Sequence, residues 1–121
     1  MEYWVDGGLK EICVTDSNGD VKIIHVTGTN NENEYRAMIY ALEQAKDGDT
    51  IYADSALVVN QLTKGWKVKA QHLYSFYNKA KEILKTKKIN IEWVSRDFNR
   101  AGWILEGNTS NYKRDKFELL R

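Results

Sequence analysis

No stretch of the 121-residue chain approaches the ~20 consecutive apolar residues that a membrane-spanning helix needs, so no membrane association of that kind is expected. Acidic Glu2 follows the first residue, and no basic stretch leads into an apolar one, so no secretory leader is visible. Cysteine occurs once, at Cys13, which excludes an intramolecular disulfide and suits a reducing, cytoplasmic setting. Cys13 lies in an apolar stretch and reads as a small core residue rather than a catalytic thiol. The two histidines, His25 and His72, are too far apart to show the spacing of a zinc site. Neither sign of charge is in excess: the net charge of +1 by itself points to no partner.

What the chain does have is a core and a segregated charge. Hydrophobic residues make up 42%, and the 3 Phe, 7 Tyr and 4 Trp are ample for one domain. We read 1–121 as a single domain with a core over about residues 1–107 and a charged C-terminal segment, 108–121, whose part from Tyr112 to Arg121 is a candidate helix. Between Lys64 and Lys88 stand eight lysines and one acid, Glu82, a net of +7 that leaves the remainder at −6. A basic part beside an acidic, carboxylate-bearing part suits a polyanion held by the first and presented to cations held by the second. A solvated lysine-rich helix face explains the same charges.

The local patterns read as an antiparallel meander followed by alternating helices and strands. Residues 1–6, 10–15 and 21–26 are strand-like, and Asn18-Gly19 marks the second turn. Thr29, Asn30 and Asn31 supply capping residues for a helix with Tyr35, Met38, Ile39, Leu42 and Ala45 on one face. Gly48 ends it. A short strand at 51–53, a short helix at 55–62, and a longer one carrying Leu73, Phe76, Tyr77, Ala80, Ile83 and Leu84 follow. The last strand, 89–94, is expected to turn Ile89, Ile91 and Trp93 inward, and a final helix to run from about Arg100 to Glu106. This β-β-β-α-β-α-α-β-α order implies α/β architecture, a mixed sheet with helices on its faces.

Three acids sit at informative places in that order. Asp6 ends the first strand in Trp4-Val5-Asp6-Gly7-Gly8. Asp54 ends the fourth in Ile51-Tyr52-Ala53-Asp54-Ser55. Glu34 lies in the opening turns of the first helix. Acids gathered from strand ends and a helix start repel unless a cation neutralises them, and oxygen-only ligands point to Mg²⁺ or Mn²⁺. Glu32 fits the simpler part of a first-turn acid favoured by the helix dipole.

With these strings the chain, from about Tyr3 to Glu106, resembles ribonuclease H of type 1, whose fold is shared with retroviral integrases and transposases. The resemblance rests on Thr29-Asn30-Asn31 with Glu34-Tyr35, on Asp54-Ser55-Ala56-Leu57-Val58-Val59-Asn60-Gln61-Leu62, on Gly65-Trp66-Lys67-Val68-Lys69, and more weakly on Asp6-Gly7-Gly8. It implies a ribonuclease H-like fold with a five-stranded mixed sheet, and hydrolysis of the RNA strand of RNA–DNA hybrids by an endonuclease. It also implies two ions about 4 Å apart, held by Asp6, Glu34 and Asp54, which activate water and stabilise the leaving oxygen. Gly7, Thr29, Asn30, Asn31, Ser55 and Gln61 are then candidates for holding the hybrid, whose 2′-hydroxyls distinguish RNA from DNA. Trp66, Lys67 and Lys69 are candidates for gripping the DNA strand, and Arg96 for contacting phosphate. No obligate protein partner is evident, and a monomer is expected.

The chain departs from the family at the fourth acid. Counted without a gap from Asn99, that acid falls on Trp103; aligned on the alanine, it falls on Gly102. Asn99 is the first choice for a substitute ligand through its amide oxygen. Glu106, ~10 Å along the helix, and Asp97 in the preceding loop remain open. The glycine-rich loop after the first strand is trimmed, and the histidine-bearing loop and long basic protrusion of some members are absent. A module that binds nucleic acid and cuts it weakly or not at all is the alternative, and a nuclease acting on duplex DNA or junctions is a third.

Overall fold

In a computed structural model, which describes residues 1–107, the chain forms one five-stranded sheet with helices on both faces. The segment 108–121, with the candidate helix from Tyr112, lies outside the described residues. Strands β1 (Glu2–Gly7), β2 (Glu11–Asp16) and β3 (Val21–His25) form the antiparallel meander. β4 (Thr50–Ala53) pairs in parallel with β1, and β5 (Asn90–Trp93) in parallel with β4. The order is β3-β2-β1-β4-β5, so β1 is central.

Helices α1 (Asn30–Gln44), α2 (Ala56–Thr63), α3 (Tyr74–Thr86) and α4 (Arg100–Glu106) complete the fold. Alternation along β1 sends Tyr3 and Val5 to one face of the sheet, where Tyr35, Met38 and Leu42 of α1 join them in the main core. Trp4 and Asp6 point to the other face. There α4 covers Trp4 and Cys13 with Ala101, and the Arg100 guanidinium lies 4.1 Å from the centre of the Trp4 ring. Cys13 is fully buried and its thiol is pushed up to about 12, chiefly by burial, as a core residue requires.

The strand expected at 89–94 is shorter, and Trp93 is not inward: it is 54% exposed. It shares the pleat of Ile91, but it stands at the end of an edge strand, and its Nε1 donates to the Asp54 carbonyl.

Candidate metal centre and nucleic-acid groove

Asp6 and Asp54 are brought together because β1 and β4 are parallel neighbours whose carboxyl ends coincide: Val5 pairs with Ala53, and each acid is the next residue. Glu34 arrives from α1. The start of that helix is fixed by a capping box, in which Thr29 Oγ1 accepts from the Glu32 amide and Glu32 Oε1 accepts from the Thr29 amide. Glu32 is thus the structural acid, and Glu34 is left for the site. Gly7 permits the approach. A Cβ there would collide with the Asn33–Glu34 peptide, so α1 can lie against β1 only over a glycine. Asn33, which the sequence reading passed over, ties the same junction together. Its Nδ2 donates to the Gly8 carbonyl, and its Oδ1 accepts from Arg36.

The outcome is three carboxylates whose nearest oxygens all lie within 4.8 Å of one another. Glu34 Oε2 is buried without a hydrogen-bond partner. Burial first, then the charge of Asp54, raises the Asp6 carboxyl above its ordinary range, against the opposing pull of Glu34 and of Arg96. Burial, then Asp6 and Asp54, raises Glu34 further. An orphaned buried oxygen among mutually repelling acids is the condition that a hard divalent cation relieves, so the donor set fits such an ion.

Asn99 needs correction. It is fully buried as the N-cap of α4, and its Oδ1, the atom expected to reach a cation, accepts from the Ala101 amide. Its Nδ2 donates to the Val5 carbonyl and to Asp54 Oδ2, both acceptors, which fixes the orientation of the amide. Asn99 positions Asp54 and is not a ligand in this arrangement. Asn99→Asp would set a carboxylate oxygen against both acceptors, so Asn99→Asp and Asn99→Ala are both expected to lower the metal-free melting temperature. The loss should exceed the ~1 kcal/mol of a simple cap, because buried partners are left unmet. Thermal unfolding in EDTA checks this; a loss no larger than the cap in Asn99→Asp would return the oxygen to the metal side.

The helix residue that faces the acids is Gly102, not Trp103. A Cβ built on Gly102 would stand 3.5 Å from Asp6 Oδ2 and 3.7 Å from Asp54 Oδ2. Glu106 is exposed one turn further along α4, and Asp97 is exposed in the turn before it.

The other expected site residues divide. Ser55 is the N-cap of α2, its Oγ accepting from the Val58 amide, which leaves Asp54 free of that duty. Gln61 is 2% exposed, and its Oε1 accepts from Tyr35, which holds its side chain at the buried wall of the groove described next. Thr29, Asn30 and Asn31 are exposed at the start of α1. Asn31 joins Leu57, Trp66, Lys67, Lys69 and Ala70 in lining a groove of about 470 Å³ on the α2 side of the site. Trp66 is 50% exposed there, available to a ligand. Arg96 is exposed, and its charge reaches Asp6. Lys87, counted above with the basic segment, is occupied: its Nζ donates to the Leu42 and Glu43 carbonyls at the end of α1.

A central-strand acid, a neighbouring-strand acid and a helix acid on this strand order define a ribonuclease H-like domain, and solved structures share its architecture. An RNase H1 from the halophilic archaeon Halobacterium salinarum is 26% identical, with a TM-score of 0.69 over 83% of this chain and 89% of that one. The N-terminal RNase H domain of Rv2228c from Mycobacterium tuberculosis is 28% identical, with a TM-score of 0.66 over 83% and 90%. LC11-RNase H1, solved with an RNA/DNA hybrid, is 23% identical and matches in fold, with a TM-score of 0.69 over 81% and 87%. The chain belongs to the reverse transcriptase-like family, whose model matches residues 10–105. The bifunctional protein Rv2228c of M. tuberculosis and an uncharacterised protein of Mycobacterium bovis are each 42% identical over 59% of this chain. The chain spans only 21% of the length of those two relatives.

Proposed function

We propose that this domain is a divalent-metal-dependent endoribonuclease that cuts the RNA strand of RNA–DNA hybrids, with two Mg²⁺ or Mn²⁺ ions engaged when substrate is bound. The observation that carries the proposal is the three-carboxylate cluster with the unpartnered, buried Glu34 Oε2. Bound there, the ions would activate water and stabilise the departing 3′ oxygen.

The chain's own residues do the rest. Asp6, on the central strand with Glu34 and Asp54 close by, would be the ligand shared between the ions. Asn99 keeps Asp54 turned toward it. Arg96 adds positive charge near the place a scissile phosphate would take, and as an arginine it holds phosphate without moving protons at neutral pH. Asn30 and Asn31 at the start of α1 face the hybrid's backbone, and the groove of Trp66, Lys67 and Lys69 takes the DNA strand. We extend the proposal to a monomer working in a reducing, cytoplasmic setting, as the lone buried thiol suggests.

The test is cleavage of a labelled RNA–DNA hybrid beside duplex DNA and duplex RNA, in Mg²⁺, Mn²⁺ and EDTA. Metal-dependent cutting of the RNA strand in the hybrid alone is expected. Cutting in EDTA, or preference for duplex DNA, would refute it. Gly102, with no side chain facing the acids, favours the second reading of a binding module that cuts weakly; binding of the hybrid without turnover in either metal would establish that one.

Lys67→Ala with Lys69→Ala is expected to weaken hybrid binding and to flatten its salt dependence by about 1.5–2 units of slope, for two lost phosphate contacts. Turnover at saturation should change less than affinity. An unaltered slope would leave these lysines as a solvated face.

A further inference from the structure

A second groove, of about 330 Å³, opens at the other end of the sheet, between the last turns of α2 and α3 and the start of β5. β5 runs parallel to β4, with Asn90 level with Thr50 and Trp93 level with Ala53, beside Asp54. The groove therefore begins about 10 Å down the strand from the carboxylate end.

Three features coincide there. The floor is apolar, built from Leu84, Ile89 and Ile91, all partly buried against the main core. The rim is basic: Lys81 and Lys88 stand beside it, and the charge of Lys87 is held in place by its bonds to α1. The flank is an open sheet edge, because among the described residues β5 pairs with β4 alone. The proposed cleavage site uses none of these groups.

An open strand edge offers backbone donors and acceptors, an apolar floor takes an alternate side chain, and lysines take carboxylates. A nucleic acid would satisfy the lysines only, leaving the floor and the strand edge without partners. Residues 108–121 carry Lys113, Arg114, Lys116 and Arg121 against Asp115 and Glu118, the same sign as the rim, and are poor occupants. We propose that this groove docks an extended, acidic and apolar segment of a partner protein, which adds to β5 as a sixth strand.

The probes are two fluorescein-labelled peptides of alternating leucine and threonine, one with a pair of aspartates at its N-terminal end and one with the pair at its C-terminal end. They are titrated into the full chain and followed by fluorescence anisotropy. Saturable binding of at least one is expected, weakened roughly tenfold or more by Lys81→Glu with Lys88→Glu, with new hydrogen-exchange protection at Ile91 and Trp93, whose amides face away from β4, and none at Asn90, whose amide already donates to the Asp49 carbonyl. Circular dichroism of the variant, and its unchanged hydrolysis of a short hybrid, show that its fold is intact. Failure of both peptides to bind, or binding indifferent to the charge reversal, overturns the proposal: the lysines then only keep the edge from pairing with other chains. Displacement of the peptide by a long RNA–DNA hybrid, with loss of long-hybrid affinity in the variant, also overturns it and makes the groove a nucleic-acid contact.

Discussion

Asp6→Asn is expected to abolish hybrid cleavage while raising the melting temperature of the metal-free protein. Both effects come from one arrangement. Asp6 is largely removed from water, and the charge of Asp54 disfavours its ionised form further. Glu34 suffers the same from Asp6 and Asp54, and more burial. Without a cation these groups oppose folding when ionised. With one, the shared charge is the attraction that holds it. Removing the carboxylate proposed to bridge the ions should therefore weaken metal binding and relieve the repulsion together. Loss of groups that merely support metal ligands costs about 10–100-fold, so loss of the proposed shared ligand should cost at least about a hundredfold in turnover. The melting temperature in EDTA should rise by about 4 °C or more, on the order of 1 kcal/mol for a domain of this size.

The pH dependence has a definite sign. The folded-state pKa values of Asp6 and Glu34 are raised, so above the ordinary carboxylate range, about pH 4, the folded chain keeps protons that the unfolded chain has released. The contribution of these groups to stability is fully present below that range and declines as pH rises through their folded pKa values. Metal-free wild type should lose melting temperature between about pH 5 and pH 8, and Asp6→Asn should lose less. Saturating Mg²⁺ should flatten the wild-type profile. Thermal unfolding in EDTA and in Mg²⁺ across that range, beside single-turnover cleavage, measures each part. Normal turnover in Asp6→Asn would move the site elsewhere.

Much of this site was legible from residue order because its main constraints are local. Asp6 and Asp54 each follow a short apolar strand and precede a break, and Thr29 with Glu32 announces the start of α1. What was not legible depends on contacts far apart in the chain. The orientation of Asn99 is set by the Val5 carbonyl, 94 residues away, and by Asp54. The role of Gly7 follows from how closely α1 crosses β1, which no spacing reveals. Lys87 looked like one more solvated lysine until the end of α1 met it. Trp93 alternates correctly with Ile91, but alternation reports the face of a strand and not whether a helix covers that end of it. The choice between Gly102 and Trp103 turned on the phase of α4, which its buried cap sets.

That phase makes Gly102→Asp the sharpest test of why the site has three acids. Gly102 is the third residue of α4, with Asn99 as its cap. A Cβ there meets only ordinary contacts, so the helix accepts a side chain's first atom at this position without strain. Replacing a helical glycine favours the helix by up to ~1 kcal/mol, and an acid in the first turn is favoured by the helix dipole. Against this, the new carboxylate would stand among Asp6 and Asp54. In EDTA the repulsion should win, and the variant should melt below wild type. In Mg²⁺ or Mn²⁺ the order should reverse, because a fourth oxygen ligand replaces a water in the coordination shell. We expect the metal concentration for half-maximal cleavage to fall roughly tenfold, about 1.4 kcal/mol, with calorimetry showing the same shift without substrate. A site short of one acid is expected to work better with Mn²⁺ than with Mg²⁺, and Gly102→Asp should narrow that difference. Gly102→Asn is the control: it fills the same space and lacks the charge, so it should reproduce neither the instability in EDTA nor the gain in metal affinity. If Gly102→Asp leaves the titration unmoved while Glu106→Gln shifts it, Glu106 is the fourth ligand, and α4 carries its acid one turn further from the strands than the geometry of Gly102 indicates.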